Sequence, residues 1–326
     1  MFDRERLGHR VGGATHVDVA GDRHAVLIRA IVLATLVFVA ASAARADDAG
    51  HECPNPREFR PSKQELEAIV DAHKAWLQDN ASGRRAVLCR LRLDRRYRKQ
   101  TLLAGVDLRE ADLRYVDLHK AKLPNADLRR ATLLRAKLKH VYLFRANLQQ
   151  TILTGADLRK ADLFAAELQK SDLRGANMKR AILGFAKLEG AVLAGASLKR
   201  ANLFAAELER LDLSGLDLRK VRLGFARLQQ ADLSRADLRK ASLRQADLTG
   251  VDLRYANMKR ADLKGANARM ADLRYAELHD AELLGTNFQG ADLRDAVGLK
   301  QKQLDEACGD ASTRLPADLS LKPCTP

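Results

Sequence analysis

From Thr101 to Asp295 the chain repeats an apolar–polar pattern every five residues, without insertion or deletion, through 39 pentads. The central residue, at numbers ending in 3 or 8, is Leu in 35 of them; Met178, Met258, Ala268 and Phe288 are the exceptions. Two residues earlier Ala stands in 28 of the 39, and Val, Thr, Ser or Leu in the rest. The position between is most often Asp, Asn or Glu, as at Asp107, Asp112 and Asn177, and the last two are polar, basic or Gly. A helix turns 100° per residue, so residues five apart lie about 140° apart and the leucines would wind around every side. A straight strand fails as well, because odd spacings alternate between faces. A short extended stretch with its first and third side chains inward, then a bend, satisfies the pattern. Pro124 and all twelve Gly of the region fall in the last two positions, where a corner needs them.

Longer echoes set how many pentads close a turn. FAAEL recurs at 164 and 204, LGFA at 183 and 223, ANMKRA at 176 and 256, LRYA at 253 and 273. Every offset is a multiple of 20, which predicts four pentads per coil and about ten coils. Runs such as Ala111-Asp112-Leu113-Arg114-Tyr115 and Ala291-Asp292-Leu293-Arg294-Asp295 resemble the pentapeptide-repeat family, over about 195 of 326 residues. The resemblance implies an all-β, right-handed quadrilateral β-helix with Leu and the small residue stacked inside. Ala268 predicts a thin spot in that core, filled by the nearby Met270.

The flanks read differently. Pro61–Asn80 is predicted as an amphipathic helix, with Ser62 and Glu65 as a capping box and Leu66, Ile69, Val70, His73 and Leu77 at helical spacing. It is expected to cover an open rung that would otherwise expose unpaired backbone groups. His73, Trp76-Leu77 and Gly83-Arg84-Arg85-Ala86 resemble the lead-in before many pentapeptide arrays. The segment after Ala296 resembles the family's C-terminal tail, a short helix and loop over the last rung. The expected organisation is a signal peptide at 1–46, an N-terminal cap region at 47–100, the array at 101–296 and a C-terminal cap at 297–326.

The signal peptide rests on the apolar run Ala30–Ala44 behind Arg29, followed by Ala44-Arg45-Ala46 as a cleavage site. An uncleaved inner-membrane anchor is the alternative. Four cysteines, Cys53, Cys89, Cys308 and Cys324, fit an oxidising periplasmic or secreted location. Pairs Cys53–Cys89 and Cys308–Cys324 would each close a loop within one cap.

Lys and Arg number 57 against 42 Asp and Glu. With four pentads per coil, one column collects the excess: Lys120, Lys139, Arg159, Lys160, Lys179, Arg180, Lys199, Arg200, Arg219, Lys220, Arg239, Lys240, Lys259 and Arg260. Stacked like charges repel, so such a ladder asks for neutralisation. Asp117, Asp157, Asp217, Asp237, Glu277 and Asp280 supply part of it, leaving an excess of eight cations. The ladder is a candidate docking face for a polyanion such as anionic lipid or lipopolysaccharide. Nucleic acid fits less well, because the column carries no aromatics for base stacking. The pentads that begin each coil carry an outward apolar strip, Tyr142, Phe144, Phe164, Ile182, Phe185, Phe204 and Phe225, suited to a protein partner or self-association.

Aromatics at 5%, scattered His and no nucleophile elbow, phosphate loop, metal or cofactor motif argue against an enzyme or a small-molecule substrate. The reading is a non-enzymatic binding or scaffold protein of the cell envelope. The alternatives are a purely structural envelope rod, or the DNA mimicry that protects topoisomerases in some members of the family, which requires an acidic rod.

Overall fold

The computed structural model describes residues 59–78, 83–91 and 103–324, all within one compact unit, Ala49–Pro326. The expected signal peptide at 1–46 and Cys53 lie outside the described residues.

The pentad period follows from where each backbone N–H goes. In Ala126–Arg130, Ala126 N donates to Leu123 O of the preceding pentad at 3.3 Å, closing a β-turn. Asp127 N reaches back one coil to Val106 O at 2.9 Å, while Leu128 N and Arg130 N reach forward to Asn147 O and Gln149 O at 2.7 and 3.0 Å. The fourth N–H has no backbone partner in either direction, and the Asp127 carboxylate accepts it, Arg129 N to Oδ1, at 3.2 Å. Asp or Asn in the second position supplies this acceptor wherever it stands, as at Asp107, Asn147, Asp212 and Asp292. In this pentad every backbone N–H thus has an acceptor.

Second-position residues bridge in parallel to partners twenty residues on, from Asp107–Asp127 through Glu277–Val297, with Val192–Asp212 the one interruption among the described residues. Four pentads thus complete each coil of an all-β solenoid, and first and third positions fill its interior almost without exposure. The turn residue in the fifth position has φ between +50° and +70° in every pentad from 105 to 295. That is the left-handed region a type II turn requires, costing a side chain of order 1 kcal/mol, yet only ten of these positions are Gly. Pairing to the coils above and below holds the rest there.

Ala268 is fully buried, but Met270 does not compensate it: its side chain points outward, 68% exposed. Its fifth-position, left-handed backbone (φ 55°) carries it away from the core. The large side chain of Phe288, one coil on in the same inward column, is fully buried.

Helix α1 (Lys63–Gln78) begins with the expected box, Ser62 N to Glu65 Oε2 at 2.7 Å and Glu65 N to Ser62 Oγ at 3.2 Å. It buries Leu66, Val70 and His73, with Ile69 half-buried and Leu77 at its margin. His73 joins three segments: Ala86 N donates to its Nδ1 at 3.0 Å, so Nε2 carries the proton toward Arg109 O at 2.8 Å. Burial holds its pKa below the ordinary value, consistent with the neutral ring this geometry needs. Gly83 (φ +73°) lets the chain turn off α1, since a Cβ there would meet Ala72 O at 2.3 Å.

Ala86–Arg90 (AVLCR) is itself a pentad, with Arg90 at φ 59° and Val87 bridged to Asp112. The A-x-L spacing was there to be read, in phase with the array but isolated from it. At the other end α2 (Gln301–Leu304) is followed by β1 (Cys308–Gly309), paired in parallel with β2 (Lys322–Pro323). Cys308 and Arg314 also bridge to Asn287 and Asp292, so coil pairing continues past Ala296. Cys308–Cys324 forms a disulfide. Cys89 is disulfide-bonded too, and its expected partner Cys53 is not among the described residues.

Candidate functional site

The basic column occupies one corner of the solenoid, where the pentads that end each coil present their fourth and fifth residues. Its cations divide into two kinds. Arg in the fourth position folds back on the second-position Asp of its own pentad, Nε to Oδ1 and Nη2 to Oδ2. Arg159 closes on Asp157 at 2.7 and 2.6 Å, Arg219 on Asp217 at 2.7 and 2.7 Å, Arg239 on Asp237 at 2.8 and 2.6 Å. This bidentate fork needs Arg geometry; Lys reaches onward instead, as Lys259 does to Glu277 at 3.0 Å. Arg260 pairs with Asp280 at 3.6 Å. Five of the fourteen cations are thereby neutralised in place.

The other nine, Lys120, Lys139, Lys160, Lys179, Arg180, Lys199, Arg200, Lys220 and Lys240, make no ion pair among the described residues. The cause is local. Where 157, 217 and 237 are Asp, the two pentads between have Asn177 and Ser197, so Lys179, Arg180, Lys199 and Arg200 have no carboxylate of their own. Asp157 and Asp217 on either side are held by Arg159 and Arg219, whose guanidiniums keep both carboxyl pKa values below the usual range. Lys160, Lys179, Arg180, Lys199, Arg200 and Lys220 thus form a window of cations without a close ion pair over four successive coils, Lys199 alone feeling the charge of Asp217 from a distance. His140 at its edge packs against His119, ring centroids 5.7 Å apart. Its pKa is lowered, first by burial and then by Lys160, His119, Lys139 and Lys120.

The next corner along the chain carries the aromatic strip, and its rings touch in unbroken series. Tyr142 stacks on Phe144 at 6.0 Å and Phe144 on Phe164 at 5.8 Å; Phe164, Phe185, Phe204 and Phe225 follow at 5.4, 5.8 and 5.4 Å, tilted or edge-on. Alternation between fourth and fifth positions makes this possible. Phe164 and Phe204 are fourth residues, whereas the next coils place Gly184 and Gly224 fourth and Phe185 and Phe225 fifth. A Cβ on Gly184 would approach the Phe164 ring to 3.3 Å, so glycine lets each ring lie over the coil that follows. The 40-residue echo of FAAEL and LGFA is this two-coil zipper. Phe185 and Phe225 remain 49% and 55% exposed, and Ile182 is exposed on the strand beside them. Phe144 and Phe164 are half-buried and serve mainly as packing beneath the ridge.

Among the described residues no three His, Cys, Asp or Glu group as metal ligands would, and no helix is long and apolar enough to cross a membrane. Two features escaped the sequence reading: the second-position residue that decides which cations are free, and the glycines that seat the rings.

The sequence model of a family described as pentapeptide repeats matches eight copies here, over 99–130, 142–180, 181–219, 217–254 and 256–295. The chain belongs to the pentapeptide-repeat family. Similar solved structures include HetL, a pentapeptide repeat protein involved in heterocyst differentiation regulation from the cyanobacterium Nostoc sp. strain PCC 7120. It is 38% identical, over 66% of this chain and 93% of that one, with a TM-score of 0.39. A second pentapeptide repeat protein of Nostoc, alr5209, is 32% identical over 34% of this chain and 78% of its own, TM-score 0.26. QnrB1, described as a plasmid-mediated fluoroquinolone resistance protein, is 19% identical over 60% and 89%, TM-score 0.36. No curated protein matches the chain. Proteins of this family are in general non-enzymatic structural or interaction proteins, and no catalytic family matches.

Proposed function

We propose that this protein is a non-enzymatic docking scaffold of the cell envelope, a right-handed quadrilateral β-helix of about ten coils that holds an anionic partner along its basic corner. The observation that carries the reading is the window Lys160, Lys179, Arg180, Lys199, Arg200 and Lys220, six cations without an ion-pair partner beside corners where Arg is tied down. Fixed like charges on a rigid stack have no way to relax apart, so a multivalent anion gains from all of them at once. The aromatic ridge is the second contact, suited to an apolar partner surface. Export to the periplasm or beyond, with a signal peptide cleaved near Ala46, is supported by the Ala30–Ala44 run and the Cys308–Cys324 disulfide. The DNA-mimicry alternative finds no support, since this corner is cationic where mimicry needs acid.

Reversing the six window cations to Glu tests the reading. The variant should lose retention on heparin at moderate salt while its thermal melt stays within a few degrees of the parent's. Undiminished retention would leave the ladder a solvated face and favour the purely structural rod.

A further inference from the structure

Basic corner and aromatic ridge border the same side of the solenoid, over the same coils. A single pentad separates them on each coil: Lys160 from Phe164, Arg180 from Phe185, Arg200 from Phe204, Lys220 from Phe225. Five residues of extended chain span at most about 17 Å, so both edges can meet one surface together. Between them the outward second positions are Asp162, Ile182, Asn202 and Arg222. The one acid there, Asp162, is half-buried and accepts the Phe164 N–H at 3.1 Å.

We propose that this side seats on a lipid bilayer bearing anionic headgroups, with the cations at the phosphates and the ridge rings in the interfacial layer. The proposal rests on the reading of the basic corner as an anion-docking surface and names its partner. Two observations select a bilayer over other polyanions. An acidic polysaccharide would engage the cations but gives no reason for a continuous ridge of exposed rings on the same coils, and a protein would have to carry an acidic and an apolar strip side by side along the rod. Nucleic acid would need free ring faces for its bases, and these rings are engaged with one another from Tyr142 to Phe225. A bilayer interface takes both: each cation near an anionic leaflet strengthens binding severalfold, and aromatic side chains settle at headgroup level. Rings already packed against their neighbours also lose little freedom on insertion.

The test uses the full chain and its variants, so that any contribution of Ala30–Ala44 is common to all. Binding is measured to vesicles of phosphatidylcholine alone and of phosphatidylcholine with phosphatidylglycerol, across a salt titration, with heparin retention in parallel. Phe185→Asn with Phe225→Asn removes the ridge crest at two left-handed positions that Asn tolerates (φ 57° at both). Phe185→Trp reports insertion as a change over the emission of the native Trp76. The expected result is salt-sensitive binding to the anionic vesicles, weakened roughly tenfold by the Asn pair. Heparin retention should be unchanged in that pair, and Phe185→Trp emission should shift to the blue on the anionic vesicles alone. Unaltered vesicle binding by the Asn pair, or no emission shift, overturns the bilayer assignment while heparin retention keeps the anion-docking reading. Loss of both kinds of binding in the parent overturns both.

Discussion

Pentads Ala156–Lys160 and Ala176–Arg180 stack directly on one another, share a backbone and end alike in two cations. Their electrostatics are opposite. In the first, Asp157 takes the backbone N–H of Arg159 and its guanidinium too; in the second, Asn177 takes the N–H of Lys179 at 3.4 Å and offers no charge. One residue, accepting the same N–H in either form, decides whether the cation two positions on is tied into the structure or open to a partner. Net charge is thus a poor guide to a docking site on such a solenoid, and the pairing pattern a better one. Exposed ion pairs contribute little to stability, so the exchange of Asp for Asn is nearly free to the fold.

The difference between the two pentads can be erased without touching a cation. Asn177→Asp with Ser197→Asp gives the window the carboxylates its neighbours have, and should weaken heparin binding about tenfold, with the melting temperature unchanged or slightly raised. Unaltered binding would mean that the second-position residue does not control the corner. A subtler sharpening uses His140, whose pKa lies below its ordinary 6.5 through burial and the surrounding cations. A polyanion on the corner opposes those cations, so the pKa should rise on binding, and by linkage binding should tighten as pH falls through that range. An NMR titration of the His140 ring with and without heparin checks this; identical curves would place the anion elsewhere.

How far the sequence spoke is itself a matter of which forces are local. Ala and Leu at the first and third positions declared the period and the interior, because burial depends on side-chain type alone. Repeats at multiples of 20 declared the coil. What could not be read locally was the left-handed fifth residue where it is Arg, Lys, Tyr or Phe, as at Arg180, Tyr255 or Phe225. Nothing in those side chains favours that conformation; bonds to the adjacent coils impose it. Met270 misled for the same reason, since its position in the turn, not its hydrophobicity, sends it outward. At the candidate site, column membership was legible and partnership was not: it depends on the reach of Arg against Lys, which only a fixed backbone defines.

Partnership rather than charge count makes the site, and two variants that lose equal charge distinguish the two. In one, Lys179, Arg180, Lys199 and Arg200 become Gln; in the other, Arg219, Arg239, Lys259 and Arg260 do. The measurement is the salt concentration at which each elutes from heparin, beside the parent. The window variant should elute at much lower salt and the paired variant close to the parent. Equal losses in the two would contradict the account and return the basic corner to a matter of net charge.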